Sequence, residues 1–94
     1  MFPPVRPAFA IKFYTKPDCP LCEQVLALLD ELSDHQPLDV QTINILTDSA
    51  LYGQYRDRIP VLIFPDGAVM GPPIRRDRLM AKLRRISSDA VGGI

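Results

Sequence analysis

The 94-residue sequence has no excess of either charge, because 11 Lys and Arg balance 11 Asp and Glu. No overall field draws such a chain onto nucleic acid or an anionic lipid surface, and neither is expected as a partner. Long hydrophobic runs are also missing. Uncharged apolar stretches fall far short of the ~20 residues that span a bilayer, so no transmembrane helix and no membrane partner are expected. Three prolines between Met1 and Pro7 interrupt the apolar segment that a secretory signal needs, which makes the cytoplasm the expected location. Cysteine is limited to two residues, too few for the disulfide scaffold of a small secreted protein. No internal repeat appears. At this length one core is the limit, and a radius of gyration of about 12 Å leaves little room for a deep cavity around a large cofactor. Chemistry is expected at the surface.

What is present reads as a globular domain with loose ends. Residues 1–9 are expected to form an extended proline-rich arm, 10–87 a single domain and 88–94 a flexible tail. Prolines lock φ in the arm, and Ser87-Ser88-Asp89-Ala90-Val91-Gly92-Gly93 reads as a loose segment. Ala10 to Tyr14 is a short apolar strand that stops at the turn formers Thr15-Lys16-Pro17-Asp18. From Leu21 the apolar residues Leu21, Val25, Leu28, Leu29 and Leu32 form a helical stripe, opposite Glu23, Gln24, Asp30 and Glu31. Leu38 to Ile45 is expected to be a strand. A short helix over Ala50 to Tyr55 has N-cap candidates in Thr47-Asp48-Ser49. Val61 to Phe64 and Ala68 to Met70 read as a hairpin around Pro65-Asp66-Gly67.

Leu79, Met80, Leu83 and Ile86 mark a last helix whose outer side carries Arg75, Arg76, Arg78, Lys82, Arg84 and Arg85. No aromatic residues interleave with these cations as base stacking requires, so they are expected to form a solvated face, with a local anion or acidic-partner site as the other reading. The order β-α-β-α-β-β-α begins with a βαβ unit, whose right-handed crossover makes the first two strands parallel neighbours.

The two cysteines lie three positions apart in Asp18-Cys19-Pro20-Leu21-Cys22, where the first strand gives way to the long helix. Pro20 suits the first helical position because its missing N–H is not needed there. Cys19 is then the N-cap, with the backbone N–H groups of Leu21 and Cys22 and the positive end of the helix dipole directed at its sulfur. Both effects favour thiolate, the attacking form. Cys19 is the expected nucleophile, and Cys22 the resolving thiol that attacks the mixed disulfide. Lys16 supports the anion while Asp18 and Glu23 oppose it.

Other readings remain. A structural staple closing so short a loop contributes only ~2 kcal/mol. A zinc site needs four ligands, and the other strong candidate, His35, lies roughly 20 Å away along the helix, so no metal is expected within one chain. A redox-silent pair in a binding module is the third.

Phe13 to Cys22, the Ile59-Pro60-Val61 step and the Asp66-Gly67 turn together resemble the glutaredoxins of the thioredoxin superfamily. The chain is most similar to the small bacterial glutaredoxin-like proteins with an Arg-Ile-Pro-Val segment, here Arg58 to Val61, over Ala10 to Ile86. The resemblance implies an α/β thioredoxin fold with a four-stranded mixed sheet flanked by helices. It implies that Pro60 is a cis proline facing the cysteines and that Ile59 offers backbone groups to an extended substrate. Lys16 matches a lysine near a glutathione carboxylate, and Arg58 adds positive charge beside Pro60.

The implied activity is thiol–disulfide exchange with protein or low-molecular-weight disulfides, in a monomer that requires no organic cofactor and is recharged by a thiol reductant system. Two departures stand out. Leu21 replaces the usual aromatic residue, and Gly71-Pro72-Pro73-Ile74-Arg75-Arg76-Asp77 replaces the Gly-Gly…Asp segment that holds the γ-glutamyl group. The prolines remove two backbone donors, which leaves glutathione as a candidate co-substrate bound weakly. The alternative in another class is a scaffold protein, redox-inactive or bridging a 2Fe–2S cluster through Cys19 at a dimer interface.

Overall fold

β1 (Phe9–Thr15) occupies the middle of a four-stranded sheet ordered β2-β1-β3-β4. It pairs in parallel with β2 (Leu38–Asn44), from Phe9 opposite Leu38 to Thr15 opposite Asn44. On its other edge it pairs antiparallel with β3 (Val61–Ile63), and β3 pairs antiparallel with β4 (Val69–Met70). The computed structural model describes residues 8–92, with side chains to Ile86. The expected arm, apart from its last two residues, lies outside them, and Phe9 already belongs to β1.

Alternation along β1 divides the core. Phe9, Ile11 and Phe13 face α1 (Pro20–Leu32) and α3 (Arg76–Gly92), where they meet Val25, Leu29, Leu79 and Leu83. Tyr14 turns to the opposite face and packs with Ile45, Val61 and residues of α2 (Ser49–Tyr55). Its ring centroid lies 4.8 Å from that of Tyr55. Helices therefore flank a mixed sheet on both faces in the order β-α-β-α-β-β-α, the architecture expected of a thioredoxin fold. Among the described residues no helix is long and apolar enough to cross a membrane.

Four local expectations change. The buried line of α1 is Cys22, Val25, Leu29 and Leu32, while Leu21 is 55% exposed and Leu28 only half-buried. The helix start, set by Cys19 and Pro20, turns Cys22 inward; Val25, Leu29 and Leu32 of the expected stripe stay buried, and Leu21 and Leu28 fall on its flank. β2 stops at Asn44, because its side-chain oxygen accepts from the Leu46 N–H at 2.9 Å and caps a 3₁₀ turn over Ile45–Thr47. Asp48 then caps α2, accepting from Ala50 and Leu51.

The segment expected to be a loose tail from Ser87 onward instead continues α3 to Gly92. No proline interrupts it, and Gly92-Gly93 is the first strong stop signal. Nor is the basic face of α3 merely solvated. Arg76 pairs with Glu31 at 2.6 Å, Arg78 binds two loop carbonyls, and Lys82 bridges to Asp66 at 2.6 Å while lying 5.6 Å from the Phe64 ring centroid. Arg84 and Arg85 remain exposed.

Candidate functional site

The chain leaves β1 through a turn in which Asp18 takes φ 58°, a left-handed conformation that Asp tolerates better than most residues. Cys19 follows in extended geometry as the N-cap of α1, with Pro20 as the first helical residue. The Cys22 N–H donates to Cys19 Sγ at 3.2 Å, and the Glu23 N–H donates to the Cys19 carbonyl at 3.1 Å. The expected second donor to the sulfur, the Leu21 N–H, makes no such bond among the described residues. One amide and the helix dipole therefore define the environment of Sγ.

Cys19 and Cys22 are joined as a disulfide with Cα atoms 5.2 Å apart. Cys19 retains 9% of its surface and Cys22 3%, so the N-cap sulfur belongs to the more accessible residue. Among the described residues no group of three or more His, Cys, Asp and Glu side chains is placed to hold a metal ion.

Ile59 and Pro60 lead into β3. The Ile59–Pro60 peptide is cis, and Pro60 is buried. The Arg58 and Ile59 N–H groups both donate to the Tyr55 carbonyl, at 2.8 and 3.2 Å. Ile59 therefore has its carbonyl, not both backbone groups, to offer an extended ligand. The Lys16 and Arg58 side chains are exposed and form no ion pair among the described residues.

A groove of 770 Å³ runs between α1 and the loop that connects β4 to α3, with Leu21 of the Cys-Pro-Leu-Cys segment and Pro60 in its lining. Leu21, Val25 and Leu28 line one side, with Pro60, Pro73 and Ile74 on the other. The loop is held from behind: Arg78 donates to the carbonyls of Gly71 at 3.0 Å and Pro73 at 2.8 Å. Gly71 in turn lies close to the Arg58 backbone, with the position a Cβ would take 4.0 Å from that carbonyl oxygen.

The sequence marks Pro72 and Pro73 for what they remove, but does not single out Leu28, Ile74 or Arg78 for the groove. The helical stripe reads Leu28 as core, against which it packs while also lining the groove, and the basic face reads Arg78 as solvated. The one signal for the groove was Leu21, an apolar residue between the two cysteines.

Residues 10–84 match the family model of the glutaredoxin-like domain, DUF836. The chain is similar to protein XcR50 from X. campestris, with 31% identity over 80% of this chain and 96% of that one and a TM-score of 0.71. It is also similar to protein Ne2328 from Nitrosomonas europaea, with 27% identity, coverage of 87% and 98%, and a TM-score of 0.69. Thioredoxin 1 from Thermosipho africanus, at 13% identity, shares the fold, with a TM-score of 0.69 over 86% of this chain and 97% of its own. No curated protein matches the chain.

Proposed function

The chain belongs to the glutaredoxin-like domain family, and from that premise we propose that it is a thiol–disulfide oxidoreductase whose working group is the Cys19–Cys22 dithiol. The observation that carries this reading is the pair itself, closed as a disulfide at the N-terminus of α1, with a backbone N–H directed at the outer sulfur.

In the reduced protein, the Cys22 N–H and the helix dipole favour the thiolate of Cys19. That thiolate attacks one sulfur of a substrate disulfide. A bond forms between Cys19 Sγ and that sulfur, the substrate S–S bond breaks, and the other substrate sulfur leaves as a thiolate that takes up a proton. Deprotonated Cys22 then attacks Cys19 Sγ, the mixed-disulfide bond breaks, the second substrate sulfur leaves as a thiolate that takes up a proton, and the Cys19–Cys22 disulfide closes. Two electrons pass from the dithiol to the substrate, which becomes two thiols. A thiol reductant system restores the dithiol, and no organic cofactor takes part.

Pro60 borders the approach to the pair, and the Ile59 carbonyl accepts a hydrogen bond from an extended substrate. Lys16 and Arg58 supply exposed positive charge near a substrate carboxylate. The setting we assign is a monomer in the cytoplasm, with protein disulfides or glutathione as exchange partners.

Mild oxidation of reduced, folded protein is expected to remove the mass of two hydrogens, and dithiothreitol to restore it. A folded protein whose mass does not change would overturn the redox reading.

A further inference from the structure

The groove beside the disulfide differs chemically from a site built for a charged tripeptide. Among the described residues its polar lining is Gln24 and Glu31, and the Glu31 carboxylate is already paired with Arg76 at 2.6 Å. Pro72 and Pro73 have no N–H to donate, and the carbonyls of Gly71 and Pro73 already accept from Arg78. The two prolines of the wall opposite α1 therefore donate nothing to a carboxylate. The wall offers an apolar ligand the surfaces of Pro73 and Ile74, facing Leu21 and Leu28. Leu21, the residue that follows Pro20 between the two cysteines, lines the groove and is 55% exposed, so one end of the groove lies next to the Cys-Pro-Leu-Cys segment.

Leu21 and Glu31 lie ten residues apart on α1, roughly 15 Å along the helix axis. That length seats about four or five residues of extended chain at roughly 3.3 Å each.

We propose that this groove docks the polypeptide flanking a substrate disulfide, as an uncharged, apolar, extended segment of about four or five residues, and so selects protein disulfides over glutathione disulfides. The proposal rests on the exchange reading above and names the substrate class of that site. Docking leaves the chemistry unchanged. It holds the substrate sulfur near Cys19 while the flanking side chains replace water against Leu28 and Ile74.

The test uses the reduced full chain with three disulfides: a peptide whose cysteine is flanked by Leu and Val, the same peptide flanked by Glu, and glutathione disulfide. The apolar peptide is expected to show a kcat/KM at least tenfold above the other two, with the difference chiefly in KM. Leu28→Glu is expected to bring the two peptides within about threefold of each other. Ala27→Glu, at an exposed groove position that leaves the core alone, is expected to act in the same direction. In parallel, a cysteine-free apolar peptide titrated into the oxidised protein is expected to shift the amide resonances of Leu28 and Ile74.

Equal kcat/KM for the two peptides, or faster reduction of glutathione disulfide, overturns the docking proposal. If no disulfide is reduced while the cysteine-free peptide still shifts Leu28 and Ile74, docking stands and the exchange reading falls. Loss of both signals overturns both.

Discussion

At the scale of single residues, the two cysteines are chemically unequal because of where the helix begins. Cys19 Sγ receives the Cys22 N–H at 3.2 Å, whereas Cys22 is buried on the inward line of α1 with 3% of its surface exposed. With alkylating reagent limiting, Cys19 is expected to be labelled first, as peptide mapping would show; preferential labelling of Cys22 would reverse the assignment. Cys19→Ser is expected to abolish exchange, while Cys22→Ser accumulates a mixed disulfide because no resolving thiol remains.

A second residue-scale effect lies far from this pair. The Asp66 carboxyl is held below the usual carboxylate range, first by its hydrogen bond from Lys82 and then by that from the Ala68 N–H. A pKa lowered by folding means that the contribution to stability is present above the unfolded value near 3.8 and is lost as pH falls through the lower folded value. Melting temperature is therefore expected to decline on the acid side more steeply in wild type than in Asp66→Asn. Parallel acid limbs would show that the Lys82 contact does not couple to folding.

At the scale of elements, much of the fold could be read from pattern, and the failures have identifiable causes. β1 and α1 followed from an apolar run and a helical period, and the capping role of Cys19 followed from Pro20 behind it. The edge of the buried face of α1 did not follow: Val25, Leu29 and Leu32 are core as expected, but Cys22 takes the inward place read for Leu21. Apolar residues at 21, 25, 26, 28, 29 and 32 fit more than one stripe, and Cys22 was weighed as chemistry although it is also core. The end of α3 was misplaced because Ser and Asp have low helix propensity, yet propensity is a weak prior once a helix is anchored through Leu79, Leu83 and Ile86.

The loop between β4 and α3 was legible in its chemistry but not in its position. Its prolines withhold two donors wherever it lies, and each charge-assisted hydrogen bond so lost is worth about 1.5–3 kcal/mol, roughly ten- to a hundredfold in affinity. Replacing both, as Pro72→Gly/Pro73→Gly, is expected to raise kcat/KM for glutathione disulfide by about tenfold in a steady-state assay. Brisk wild-type turnover with no gain in the variant would show that the prolines do not limit the use of glutathione.

At the scale of the whole molecule, the candidate site depends on holding two distant parts of the chain at a fixed spacing. The cysteines belong to α1, the opposing wall belongs to the loop before α3, and two arginines near the start of α3 connect them. Arg76 reaches back to Glu31 on the last turn of α1, and Arg78 gathers the carbonyls of Gly71 and Pro73. The Arg78 contacts span seven residues or fewer, but the Arg76–Glu31 pair spans forty-five, so that pair could not be inferred from local pattern. From sequence alone, a cluster of arginines on a helix reads as solvated. Arg78→Met separates wall-holding from chemistry. The freed carbonyls are exposed to water, so stability is expected to fall by about 1 kcal/mol or less, and the Cys19–Cys22 geometry on α1 is left alone. Amide exchange of Ile74 is expected to quicken. KM for the apolar peptide disulfide should rise several-fold while kcat stays near wild type, and Arg78→Lys, which can supply one of the two bonds but not both in a planar fork, should fall between them. A matched fall in kcat for all three disulfides would instead place Arg78 in support of the reacting sulfurs, and an unchanged KM would mean that the wall keeps its position without the arginine.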